Sequence, residues 1–234
     1  MKPEDLKSPF REGERKVLIQ DRVWYIPLKG LSESDPFRFP GWEDPALFGN
    51  SSPVYVEYCS GNGTWIAEKA AENPSINWVA VEKKFERVRK IWSKIKNLQL
   101  PNLIVISGEG LLTTERFFPQ ESVEAVYVNF PDPWPKKRHA KNRIIQPIFV
   151  QQIARILKPS GSLTLVTDSL EYSAQMIEVV NGSVDFSSYF PAPYYSEDVQ
   201  NYGSSYFEQL WKEQGRIIRY HQFQKKIMEE ACSF

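Results

Sequence analysis

From Val54 onward, short apolar runs alternate with helical stretches, and few folds accept that alternation. Residues 54–58, 78–82, 103–107, 123–129 and 162–167 read as strands, mostly apolar on both faces. Between them, residues 64–72, 85–96 and 144–157 read as helices, and 170–180 follows the fifth strand. In 85–96 the apolar residues Val88, Ile91, Trp92 and Ile95 recur at helical spacing and mark one face. Strands without polar alternation that are separated by helices predict a parallel sheet covered on both sides, an α/β fold. After residue 183 the texture changes, and residues 186–190 and 216–223 read as two further strands. Residues 1–53 read as an N-terminal extension packed on the body, leaving 54–234 as one domain. Residues 17–26 can hold a short strand, and Pro36, Pro40, Gly41, Pro45 and Gly49 break any regular element between it and Val54. Phe37, Phe39, Trp42 and Phe48 in that stretch either pack on the body or form a binding lip.

The fourth strand runs into Asn129-Phe-Pro-Asp-Pro-Trp-Pro-Lys136. Proline fixes φ and lacks an N–H, so three in this short stretch exclude helix and central ladder alike. A stiff loop must therefore hold out Asp132 and Trp134. Directly after it, residues 136–143 carry Lys136, Lys137, Arg138, His139, Lys141, Asn142 and Arg143. A carboxylate and an aromatic ring beside dense positive charge suit a nucleobase and its phosphates. A solvated charge run is the plain alternative.

Acids stand at the other strand ends too. Glu57 lies in the first strand, just before Gly61 and Gly63, where glycines let a ligand approach the backbone. The glycine spacing lacks the third glycine of a dinucleotide fingerprint, which argues against a nicotinamide cofactor. Glu82 ends the second strand, where a carboxylate can accept both ribose hydroxyls. Glu109 follows the third strand, and Asp168 ends the fifth as a substrate contact or a helix cap. In open α/β sheets the ligand crevice lies along these ends. His139 has no second histidine beside it and His221 sits within a strand pattern, so no metal site is expected. Lys+Arg and Asp+Glu balance at 29 each, so any nucleic-acid grip must come from local clustering. Two distant cysteines make no disulfide framework, and no apolar run is long enough to span a bilayer, which fits a cytoplasmic protein.

Together these residues resemble the signature of the bacterial tRNA (guanine-N7-)-methyltransferases, the TrmB family. The likeness runs through Glu57-x-x-x-Gly-Asn-Gly63, Glu82, the loop from Asn129 to Arg143, Leu157-Lys-Pro-x-Gly161 and Thr167-Asp168. It implies a Rossmann-like class I S-adenosylmethionine-dependent methyltransferase with a mostly parallel sheet, helices on both faces and an antiparallel C-terminal strand pair. It implies methylation of N7 of the guanine at position 46 in the tRNA variable loop. By the same resemblance, Glu57, Gly61, Gly63, Glu82, Glu109 and Asp132 are the cofactor site, with Asp132 also catalytic. Lys136, Asp168, Ser205 and Glu208 match substrate contacts, and Arg138, His139, Lys141, Asn142 and Arg143 match the RNA-contact segment. The resemblance gives tRNA as the partner, and the choice of monomer or homodimer stays open. Cys59 stands where the family has glycine, Glu109 where it has Asp, Asn142 where it has a basic residue, and Ser205-Tyr206 where it has Thr-Lys. A methyltransferase acting on a small molecule would have no use for the charge at 136–143. A non-catalytic RNA-binding subunit would have lost the cofactor site.

Overall fold

Nine strands form one sheet in the order β1-β2-β5-β4-β3-β6-β7-β9-β8. The coordinates are a computed structural model and describe residues 1–10, 15–28, 36–203 and 206–227. The parallel centre comprises β3 (Val54–Tyr58), β4 (Asn77–Glu82), β5 (Leu103–Ser107), β6 (Val123–Asn129) and β7 (Leu157–Thr167). Helices α1 (Thr64–Glu72) and α2 (Phe85–Asn97) cover one face. Helices α3 (Gly110–Phe117), α4 (Pro147–Ile156) and α5 (Leu170–Asn181) cover the other. Side chains alternate along the strands, so Val54, Val56 and Tyr58 enter the core under α3 to α5 while Tyr55 packs beneath α1. The apolar residues Val88, Ile91, Trp92 and Ile95 of α2 are all buried.

The rest of the sheet comes from segments outside that centre. β1 (Leu18–Gln20) and β2 (Val23–Tyr25) form a hairpin, and β2 pairs in parallel with β5. Trp24 in β2 is fully buried, stacked on Phe39 at 5.4 Å between ring centroids and edge-on to Trp42. Trp42 meets Phe118 at 5.1 Å, so these aromatics close the core and form no lip. At the other end β9 (Arg219–Lys225) runs antiparallel to β7, and β8 (Phe186–Ser188) antiparallel to β9.

Four details differ from the pattern in the sequence. Helix α3 has no strong signal: it opens on Gly110, holds two threonines, and is capped by Glu109 accepting from the Leu112 N–H at 2.8 Å. Helix α4 starts at Pro147, whose missing N–H is harmless in a first turn. Lys158 to Gly161, which resembles a helix-ending turn, lies inside β7 as an irregularity, with the register shifting between Val123 and Ala125. A short helix α6 (Tyr206–Glu213) interrupts what reads as loop.

Candidate active site

Glu57, Glu82, Glu109, Asp132 and Asp168 stand at the same ends of five adjacent parallel strands, in the lateral order β5-β4-β3-β6-β7. The chain leaves β3 toward β4 on one side and pairs β3 with β6 on the other. This reversal opens a crevice between β3 and β6. Glu57, Cys59, Gly61, Gly63, Asn129 and Phe130 line it. Gly61 and Gly63 both take left-handed φ, +55° and +67°, which glycine adopts without strain. A Cβ on Gly63 would lie 2.5 Å from Ile91 Cγ1, so close packing also requires this glycine. Cys59 holds a left-handed φ of +61° with a side chain present. Burial, with Glu82 and Glu57 adding, pushes its thiol up to about 12, so it is no thiolate nucleophile near neutral pH.

Glu57 is buried at 2% exposure. Its Oε1 accepts from Asn129 Nδ2 at 2.8 Å, while Oε2 has no donor among the described residues. The nearby Ser60 hydroxyl donates its proton to the Glu57 carbonyl at 2.9 Å. Burial raises the Glu57 carboxyl to about 7, with Asn129 and Ser60 pulling it down and the Glu82 charge pushing it up. Glu82 is also buried, accepting from the Gly61 N–H at 3.0 Å and the Lys84 N–H at 2.9 Å, which ties the glycine loop to the start of α2.

Asp132 is exposed on the proline loop, accepting from the Trp134 N–H at 3.3 Å. Phe130 and Trp134 flank it with φ of +47° and +43°, strained values for aromatic residues. Arg143 holds this loop in place. Its guanidinium donates to the carbonyls of Pro133 at 2.8 Å and Trp134 at 3.4 Å, to Gln175 Oε1 at 2.6 Å and to Glu171 Oε1 at 3.0 Å. It also lies 5.0 Å above the Tyr172 ring. At 4% exposure it is a clamp under the loop and not a surface RNA contact, which corrects the reading of its sequence position. A planar fork with five donors suits that work, and the sequence offers no sign that one charge of the run turns inward. Lys136, Arg138, Lys141 and Asn142 are exposed, and His139 meets Trp134 edge-on at 5.8 Å.

Asp168 pairs with Arg216 at 2.6 Å, and Arg216 stacks on Trp211 of α6 at 3.9 Å. The helix cap at this point comes from Ser169, accepting from the Tyr172 N–H, so Asp168 does not serve in that role. Glu208 in α6 is buried, accepting from Tyr220 Oη at 2.8 Å and Lys212 Nζ at 2.6 Å. Ser205 lies outside the described residues. His221 is fully buried in β9, with Nδ1 3.1 Å from the Tyr194 carbonyl; burial lowers it to about 4, which makes it a neutral structural group. Asn129 and Tyr202 join the site unannounced. Asn129 sits within the signature loop, but only pairing across the crevice shows what it does. Tyr202 lies in a stretch without periodicity. Among the described residues no group of His, Cys, Asp and Glu is arranged to hold a metal ion, and no helix is long and apolar enough to cross a membrane.

The fold is that of solved methyltransferases. TrmN from Thermus thermophilus superposes with a TM-score of 0.55 at 16% identity, covering 74% of this chain and 44% of that one. An rRNA methylase from Streptococcus thermophilus gives 0.51 at 15% identity, covering 76% and 89%. The methyltransferase family model Methyltransf_4 matches residues 51–220. A tRNA (guanine-N(7)-)-methyltransferase of Chlamydia abortus is 44% identical over 227 residues, 97% of this chain and 99% of its relative. One from Thermotoga maritima is 32% identical over 180 residues, 76% of this chain and 56% of that protein. The chain that builds this acidic rim is a class I methyltransferase belonging to the tRNA (guanine-N7-)-methyltransferase family.

Proposed function

We propose that the protein methylates N7 of a guanine in tRNA, at position 46 of the variable loop, with S-adenosylmethionine as methyl donor. What supports this most is the shared rim: carboxyls on adjacent strand ends, with the exposed cations Lys136, Arg138 and Lys141 beside them. The donor fits the crevice on one structural ground. Glu57 Oε2 is buried without a hydrogen-bond donor, and a ligand ammonium would supply one. When bound, S-adenosylmethionine supplies a methyl group activated by a sulfonium centre.

Glu57, Gly61 and Gly63 would hold the methionine end of the donor, and Glu82 and Glu109 would hold its nucleoside end. Guanine N7 carries an in-plane lone pair and attacks without losing a proton, so no general base is needed. Orientation and electrostatics then supply the rate. Asp132, held out by the clamped loop, places negative charge where the guanine ring becomes positive. Asp168 or Glu208 would accept from guanine N1–H and the N2 amino group, which distinguishes guanine from adenine. For Asp168 this requires Arg216 to yield, an exchange its partly exposed position allows. Lys136, Arg138 and Lys141 contact phosphates.

The test is incubation with unmodified tRNA and labelled S-adenosylmethionine, followed by mapping of the methylated atom, with a panel of small metabolites alongside. Label at guanine N7 of the variable loop is expected. Label on a metabolite, or at another atom, refutes the proposal. Asp168→Ala should reduce methylation sharply and leave cofactor affinity intact; equal loss of both would remove Asp168 from guanine recognition.

A further inference from the structure

Tyr202 lies in the segment between β8 and α6, far in sequence from the crevice, yet its hydroxyl reaches Asn129 Oδ1 at 2.6 Å. Asn129 in turn donates to Glu57 Oε1 at 2.8 Å. All three side chains are buried. The Tyr202 ring is fixed from two sides, stacked on Trp65 at 5.3 Å and edge-on to Tyr220 at 5.1 Å. Trp65 Nε1 also donates to the Tyr202 carbonyl at 2.8 Å. The hydroxyl is therefore held against the amide.

This arrangement decides which way the amide faces. While Tyr202 donates, Asn129 must offer its carbonyl to the phenol and its NH2 to Glu57. An NH2 toward Glu57 stabilises the carboxylate over the carboxylic acid. If the amide turned over, its carbonyl would face Glu57 and favour the protonated acid. The Tyr202 proton would then lack its acceptor in a buried place, at a cost of about 1–3 kcal/mol. We propose that Tyr202 is a positioning residue of the cofactor site: through the Asn129 amide, its hydroxyl keeps Glu57 charged to receive the ammonium of S-adenosylmethionine. This rests on the crevice being the S-adenosylmethionine site.

The groups around Glu57 leave it as the side chain whose charge Tyr202 controls. Cys59, in the adjoining loop, is pushed up to about 12. Tyr202 and Tyr127, on the other flanks, are also raised by burial and stay neutral near pH 7. Glu82 on β4 is the neighbouring charge and is bound to backbone amides in a way that Tyr202 does not touch. Because Tyr220 also donates to Glu208, the aromatic cluster that orients Glu57 is the one that carries the guanine-side carboxylate.

The experiment measures S-adenosylhomocysteine affinity by calorimetry from pH 6 to 9, for wild type and Tyr202→Phe, with thermal unfolding as a fold control. Phenylalanine keeps the stacking and removes only the hydroxyl. Affinity should fall about fivefold at pH 7 and nearer tenfold at pH 6, with the pH midpoint moving up by about one unit from about 7. The two proteins should converge near pH 9. In an Asn129→Ala background the same change should have no further effect. A loss that is equal at every pH, unchanged affinity at pH 7, or additive losses with Asn129→Ala would overturn the role of Tyr202 alone. Failure of the wild type to bind S-adenosylhomocysteine at any pH would overturn the cofactor site as well.

Discussion

Glu57→Gln should stabilise the ligand-free protein above neutral pH while abolishing its response to cofactor. The Glu57 carboxyl moves from its ordinary 4.5 to about 7 because it is buried. The folded state therefore holds this proton more tightly than the unfolded state. The resulting stability is fully present below about pH 4.5 and is lost as pH rises through about 7. A difference of about 2.5 units at 1.36 kcal/mol each makes ionisation cost roughly 3 kcal/mol of folding stability at pH 8. Glutamine has the same shape and never ionises, so the variant escapes that cost. For a chain of this size, 1 kcal/mol corresponds to about 2–4 °C, so the variant should melt roughly 6–12 °C higher at pH 8. At pH 4.5 the two should melt almost together. Other titrating groups are common to both proteins and cancel in the difference. Melting without ligand at both pH values tests this, and adding S-adenosylhomocysteine should raise the wild-type midpoint alone. A gap between the proteins that does not change with pH would refute the argument, because the buried charge would then not be its source.

Arg143→Ala should destabilise the protein by about 3 kcal/mol in urea unfolding, since it leaves the Pro133 and Trp134 carbonyls and Gln175 Oε1 without their donor. Arg143→Lys should not restore it, because one ammonium cannot serve two carbonyls, an amide and a carboxylate at once. Replacing Lys136, Arg138 and Lys141 together with Gln should leave stability unchanged and lower the slope of log affinity for tRNA against log salt by about 2–3. An unchanged slope would place the phosphate path elsewhere on the surface.

The parallel centre of the sheet was legible because its strands are continuous apolar runs and its longer helices repeat at 3.6 residues. Helix α3 was hidden because its cap is a glutamate and its first turn holds a glycine, both weak signals. Residues 17–26 were legible as strand-forming, but not as a hairpin of β1 and β2 that lays β2 parallel to β5. Within the site, the acids were legible as a row because strand ends can be counted along the chain. Arg143 was not: a guanidinium under a loop and one in solvent look alike in a basic run. Nor was Tyr202, whose contact with Asn129 spans 73 positions of sequence.

Both margins of the sheet end in strands of three residues, Leu18–Gln20 on one side and Phe186–Ser188 on the other. So short a border presents too few free amides and carbonyls to template another chain. Neighbouring molecules therefore have little purchase for zipping together into a continuous ribbon. A strand added at either border would gain few hydrogen bonds, so the sheet offers little for extension from one molecule to the next.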